Sequence, residues 1–130
     1  MAKPHFETHI STFEVRDYEL DLQGIVNNAV YFNYLEHARH SYLLDKGVSF
    51  QKLFDEGIAA MVLKAEMEYK SSLRSKDKFE VETYTEKKGR FKLVFHQNIR
   101  KLGEEQVILK AQITTACINI DTRKPEEIDW

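Results

Sequence analysis

This chain of 130 residues has a single cysteine, and it lacks the short sequence motifs of several enzyme classes. The single Cys117 excludes a disulfide within the chain and is typical of a reducing compartment, so we expect a cytoplasmic protein. No G-x-S-x-G elbow, P-loop or G-x-G-x-x-G pattern occurs. This argues against a serine hydrolase, a nucleotide hydrolase and a dinucleotide-dependent enzyme, and we expect no cofactor.

Long apolar runs and an excess of one charge are also missing. No stretch approaches the roughly 20 apolar residues that a helix needs to span a bilayer, and MAKPHFETHIST does not resemble a signal peptide. The formal net charge is −2, which gives no general attraction to nucleic acid. We therefore expect a soluble protein with neither a membrane span nor a nucleic-acid partner.

Most of the chain alternates apolar and polar residues with the period of two that is typical of β-strands. The predicted strands cover residues of about 5–17, 58–70, 78–86, 90–101 and 106–120. In the segment 58–70, apolar side chains alternate with Lys64, Glu66, Glu68 and Lys70, which predicts one buried and one solvent-facing side.

One long helix, at about residues 29–46, separates the first strand from the others. Its apolar stripe follows the i, i+3, i+4, i+7 spacing of a helix and consists of Tyr31, Tyr34, Leu35, Ala38 and Tyr42. Asn28 is predicted to cap its N-terminus, and Gly47 to end it. Short connections between the later strands favour an antiparallel sheet, so we predict a single α+β domain over residues 1–130.

The segment from Asp21 to Asn28 lies directly before this helix. Unpaired N–H groups and the helix macrodipole make a helix N-terminus attractive to anions. If the loop folds back, Asp21 lies near the N–H groups of residues 28–30, which brings a base and an oxyanion donor together, as acyl transfer requires. The alternative is structural, with Asp21 as a turn residue and Asn28 as an ordinary cap.

The stretch DLQGIVNNAVYFNYLEHAR, preceded by VRDYEL, resembles the signature of hotdog-fold acyl-CoA thioesterases of the 4-hydroxybenzoyl-CoA thioesterase-like group. It also resembles acyl-ACP thioesterases, and the likeness covers nearly the whole chain. The resemblance implies a five-stranded antiparallel sheet wrapped around one central helix. It implies that Asp21 is the catalytic nucleophile or general base, and that the Asn28 N–H polarises the thioester carbonyl. Gly24 matches the glycine that lets the loop approach the substrate.

A basic segment surrounds the predicted turn at Gly89. By resemblance, Lys87, Lys88 and Arg90 match the segment that contacts the nucleotide end of CoA, and clustered cations suit phosphates. The alternative is a solvated hairpin tip. The resemblance also implies a homodimer or homotetramer with its active sites between subunits.

The resemblance implies hydrolysis of acyl thioesters, with acyl-CoA or acyl-ACP as substrate. A non-catalytic acyl-CoA binding module of the same fold is the alternative, because Ile25 stands where many relatives have a histidine. A dehydratase is less favoured, since those enzymes pair a histidine with their acid. His37 and His40 are spaced i, i+3 without an evident third ligand, so no metal site is predicted.

Overall fold

The computed structural model describes residues 8–127, which form one antiparallel sheet and two helices. In chain order the elements are β1 (His9–Glu14), α1 (Asn28–Asp45), α2 (Phe50–Asp55), β2 (Ile58–Tyr69), β3 (Lys78–Lys88), β4 (Lys92–Lys101), β5 (Val107–Asn119) and β6 (Pro125–Glu126). A single 3₁₀ turn, Asp17–Glu19, follows β1. The strand order is β1-β3-β4-β5-β2, every neighbouring pair is antiparallel, and β6 pairs with β5.

The core lies between α1 and one face of the sheet. The helix buries the predicted apolar stripe, and β3 buries every second residue, namely Phe79, Val81, Thr83 and Thr85. Polar contacts also join the two layers, and in one of them the hydroxyl groups of Tyr42 and Thr85 lie 2.7 Å apart in a hydrogen bond. The periods of the sequence thus correctly predict which faces of α1 and β3 are buried.

Three element boundaries differ from the sequence predictions. The cap of α1 is Asn27, whose Oδ1 accepts a hydrogen bond of 3.0 Å from the Ala29 N–H, and the helix begins at Asn28. The first strand is shorter than predicted, although residues 5–7 lie outside the described part of the chain. A sixth strand, β6, pairs with Cys117 and Ile118 because β5 extends beyond the start of β4, which lies opposite Ala116.

The prediction that one side of β2 is buried is wrong for the single chain. Met61, Val62 and Leu63 are 47%, 45% and 51% exposed, and only the first two residues of the strand and Met67 are half-buried. The physical reason is position: β2 is the edge strand next to β5 and has no strand on its other side. An apolar edge of this length is a surface on which a further strand can pair.

Leu35 offers a direct test of the core. Its side chain is fully buried, and we expect Leu35→Ala to lower the free energy of unfolding by about 2–5 kcal/mol through lost burial and the cavity left behind. Leu44 on the same helix is 63% exposed, so Leu44→Ala is the matched control and should change stability by less than about 0.5 kcal/mol. Urea denaturation at one fixed protein concentration measures both, and equal effects would contradict this packing.

No helix within residues 8–127 combines the length and apolarity needed to cross a membrane.

Candidate active site

The loop that leads into α1 is a narrow hairpin. Leu20 and Val26 form an antiparallel bridge, and inside it the Asp21 N–H donates to the Ile25 carbonyl at 2.8 Å. Gly24 donates its N–H to the Asp21 carbonyl at 3.1 Å and has a φ of +79°, in the left-handed region that side chains disfavour. An added Cβ at Gly24 would meet no atom within 4 Å, so the glycine is required by the backbone conformation of the turn.

The Asp21 carboxylate is oriented by this hairpin. Its Oδ1 accepts a hydrogen bond of 2.8 Å from the Gln23 N–H and a long one of 3.4 Å from the Ile25 N–H. Within residues 8–127, Oδ2 has no hydrogen-bond partner, and the side chain is half-buried. One carboxylate oxygen is therefore held by the loop, and the other is available to a substrate or a water molecule.

Contacts with the segment before β3 hold the loop against the first turn of α1. The Val26 N–H donates to the Leu73 carbonyl at 2.9 Å, and the Leu73 N–H donates to the buried Tyr31 hydroxyl at 2.9 Å. Burial raises the pKa of Tyr31, and the negative charges of Asp77 and Asp21 raise it further. Through the Tyr31 hydroxyl, the segment that binds the loop is therefore also anchored to the first turn of α1.

The first N–H groups of α1 are not all satisfied. Asn27 accepts from Ala29 through its side chain and from Val30 through its carbonyl, at 3.0 and 2.9 Å. The Asn28 N–H has no acceptor in the described part of the chain, and Asn28 is exposed. Asn28 is three positions, at most about 11 Å of chain, after Ile25, whose carbonyl accepts from the Asp21 N–H. The structure thus brings Asp21, Gly24 and Asn28 to one end of α1.

Tyr69 is a residue of this site that the sequence pattern does not single out. It ends β2, and its hydroxyl donates to the Asn28 carbonyl at 3.3 Å while its ring contacts Tyr31 edge-on at 5.7 Å. The alternation of β2 places Tyr69 on a strand but gives no information about its partner. The contact exists because the end of β2 reaches the start of α1.

Lys87, Lys88 and Arg90 lie elsewhere. All three are exposed at the β3–β4 hairpin, and the Arg90 Nε forms an ion pair of 3.0 Å with Glu127. The opposite end of β3 follows the segment that contacts the Asp21 loop, and ten residues of strand span about 33 Å. Within one chain, therefore, the structure does not bring the basic segment next to Asp21.

The histidines of the described chain also lie away from Asp21. His9 is 3.6 Å from Asp45, His96 is 3.0 Å from Glu86, and the rings of His37 and His40 contact Phe13 and Phe50. Within residues 8–127, no group of three or more His, Cys, Asp or Glu side chains is arranged to hold a metal ion.

Comparison with known proteins gives the family. The family model of the thioesterase-like superfamily matches residues 15–129. The chain is 39% identical over 106 residues to the chloroplastic acyl-acyl carrier protein thioesterase ATL3 of Arabidopsis thaliana, a match that covers 82% of this chain and 56% of the relative. It is 32% identical over 111 residues to the long-chain acyl-CoA thioesterase FadM of Escherichia coli, covering 85% and 83%.

The fold agrees with these matches. The solved structure of the DHNA-CoA thioesterase from Staphylococcus aureus superposes with a TM-score of 0.86 and 28% identity, covering 94% of this chain and 81% of that one. This chain belongs to the thioesterase-like superfamily and has its hotdog fold. It spans little more than half the length of two plant relatives, 56% and 59%.

Proposed function

We propose that this protein hydrolyses acyl thioesters, with acyl-CoA as the substrate, to a carboxylic acid and a free thiol. The single observation that carries the proposal is that the loop before α1 leaves one Asp21 carboxylate oxygen without a partner within residues 8–127, and that the Asn28 N–H at the start of the helix also has no acceptor there. The thioesterase names of the relatives support the same reaction.

The mechanism follows from these two groups. The Asn28 N–H, supported by the helix dipole, binds the thioester carbonyl oxygen and stabilises the negative charge that develops on it. Asp21 takes a proton from water while the water oxygen attacks the carbonyl carbon. The C–S bond then breaks, and the proton passes from Asp21 to the departing thiolate. Direct attack by the carboxylate through an anhydride is the other route open to the same geometry.

We propose that the active unit is a homodimer formed through the edges of two β2 strands, with a tetramer as a pair of such dimers. The exposed apolar edge of β2 supports this pairing. Antiparallel pairing about a twofold axis sets the Ile58 end of one β2 beside the Tyr69 end of the other. The basic hairpin lies at the Ile58 end, because Lys92 pairs with Ala116 and Ala60 pairs with Cys117. Lys87, Lys88 and Arg90 of one copy then approach Asp21 of the second, where they bind CoA phosphates.

A non-catalytic acyl-CoA binding module is the second candidate, and it is favoured because the described histidines contact residues other than Asp21. Without a histidine, Asp21 has to act alone as both base and acid. An acyl-ACP substrate is the third, supported by the name of the plant relative. We also place the protein in the cytoplasm, on the strength of its single cysteine.

A panel of acyl-CoA and acyl-ACP thioesters, with a thiol-trapping dye, separates these candidates. We expect saturable thiol release from acyl-CoA. The Cys117 thiol is buried, and burial raises its pKa to about 11, so the folded protein should contribute little signal of its own. Saturable binding with no thiol release would establish the binding module instead, and release from acyl-ACP alone would reassign the substrate.

A further inference from the structure

A buried arginine, Arg39, lies outside the Asp21 site and lines a cavity of about 350 Å³ between α1, α2 and β2. The walls are mainly apolar and include Leu43, Phe50, Ile58, Met61 and Phe95. Arg39 of α1 also lines this cavity although its residue is only 5% exposed. Buried arginines normally have a charged partner, so its surroundings need an explanation.

Among residues 8–127, one hydrogen bond reaches the Arg39 guanidinium. Its Nη1 donates to the Gln97 Oε1 at 3.2 Å, and the group lies 5.5 Å from the centre of the Phe32 ring. Gln97 is itself fixed, because its Nε2 donates to the Leu35 carbonyl at 3.0 Å and to the Thr83 hydroxyl at 3.1 Å. No carboxylate of residues 8–127 lies within 4.0 Å of the guanidinium.

The Arg39 charge is present at neutral pH. Burial lowers the pKa of Arg39 to about 10, and the Glu36 carboxylate partly opposes that shift. Within residues 8–127 the guanidinium makes one neutral hydrogen bond, and its other N–H donors are not sealed inside the protein but stay accessible from the cavity that Arg39 lines. A largely desolvated cation with one such bond gains from a charged partner, since desolvating an ion costs more than a neutral hydrogen bond returns. A bound anion would supply the missing interaction, and the planar fork of a guanidinium matches a carboxylate with two parallel hydrogen bonds.

We propose that this cavity holds the far end of the acyl group and that Arg39 binds a carboxylate there, so that ω-carboxyacyl thioesters are preferred substrates. The inference rests on the proposed function. In the proposed dimer, the Ile58 end of one β2 lies beside the Tyr69 end of the other. An acyl group attached at Asp21 of one copy therefore extends into the cavity of the second.

The surroundings of the cavity favour a ligand carboxylate over a side chain of the second copy. The residues of β2 that line it, from Ile58 to Val62, contain no acid. The acids further along β2 already have partners, since Glu66 forms an ion pair with Lys64 at 3.4 Å and Glu68 with Lys70 at 3.2 Å. Glu36 at the rim is exposed, so water screens its repulsion of a bound anion.

Matched substrates test the proposal. Adipoyl-, suberoyl- and dodecanedioyl-CoA are compared by kcat/KM with hexanoyl-, octanoyl- and dodecanoyl-CoA. We expect the wild type to favour the ω-carboxy compound for at least one chain length. In Arg39→Gln the ratio for that pair should fall about 10- to 100-fold, as expected for the loss of a charge-assisted pair. Arg39→Lys keeps the charge but loses the planar pair of N–H donors, so it should give an intermediate ratio. It also provides a second measurement if the glutamine variant does not fold.

Arg100→Gln is the control, because Arg100 forms an ion pair with Glu82 at 3.1 Å and does not line the cavity; its ratio should equal that of the wild type. An unchanged ratio in both Arg39 variants would overturn the proposal. An equal fall for both substrate series together with dimer dissociation would overturn it too, since Arg39 would then pair with the second copy.

Failure of the proposed function can be told apart from failure of this inference. If the wild type cleaves no thioester, hydrolysis as the function is wrong. The Arg39 site is then tested by titration calorimetry, which measures the affinities of suberoyl-CoA and octanoyl-CoA for the Asp21→Asn protein with and without Arg39→Gln. Tighter binding of suberoyl-CoA that depends on Arg39 supports the site, and equal binding of the two compounds contradicts it.

Discussion

Replacing Asp21 with asparagine is expected to lower kcat/KM for acyl-CoA hydrolysis by about 10²- to 10⁴-fold, the usual contribution of a positioned general base. Asparagine keeps an oxygen that can accept the hydrogen bonds now made by the Gln23 and Ile25 N–H groups, so the loop should retain its shape. The variant loses the negative charge and the proton acceptor. Thiol release under saturating and limiting substrate measures both kcat and kcat/KM.

Asp77 provides a control of the same residue type. It is half-buried in the neighbouring turn, and its Oδ2 accepts a hydrogen bond of 2.8 Å from the Arg74 N–H and lies 3.5 Å from the Lys101 Nζ. Its charge also raises the pKa of Tyr31, as that of Asp21 does. Asp77→Asn should therefore reproduce the general electrostatic change near Tyr31 without the loss of hydrolysis. Undiminished turnover in Asp21→Asn, or equal losses in both variants, would remove Asp21 from the mechanism.

Charges placed on the free edge of β2 are expected to dissociate the protein into monomers and to abolish hydrolysis while Asp21 stays intact. The double variant Met61→Asp with Leu63→Asp suits this purpose, because both residues are about half exposed in the single chain, which should tolerate them. Like charges brought together at an interface cost several kcal/mol, so we expect the dimer dissociation constant to rise about a thousandfold or more. Analytical ultracentrifugation and thiol release on the same sample measure the two effects.

Leu102→Asp is the matched control, since Leu102 is a similarly exposed leucine, at 45%, on the β4–β5 turn. It should remain a dimer with wild-type activity. An active monomer of the β2 variant would contradict the proposal that the site needs two copies. A β2 variant that stays dimeric would place the interface elsewhere.

The sequence predicts the features of this protein that depend on local periodicity. Alternation over Phe79, Val81 and Thr83 fixes a strand with one buried face, and the stripe from Tyr31 to Tyr42 fixes a helix, because burial repeats every two residues in a strand and every 3.6 in a helix. The loop chemistry is also local. Asp21 and Gly24 lie in one hairpin of a few residues, so their spacing alone brings them together.

The tertiary structure decides everything that depends on which elements become neighbours. Position at the sheet edge leaves most of β2 exposed in the single chain, and a strand pattern contains no information about the order of strands. Lys88 is far from Asp21 within one chain because it lies at the opposite end of β3. Tyr69 contacts Asn28 because the end of β2 lies beside the start of α1.

Arg39 shows most clearly the difference between what local sequence patterns predict and what tertiary packing decides. It lies on the apolar stripe, four residues after Leu35 and three before Tyr42, yet a charge in a helix ordinarily indicates a solvated face. The packing of α2 and of strands β2, β4 and β5 around it removes most of its surface from water. The sequence by itself determined the elements and the Asp21 loop, because these follow from residues close together in the chain. The edge strand, the cavity and the buried cation arise from contacts between residues far apart, which no local pattern specifies.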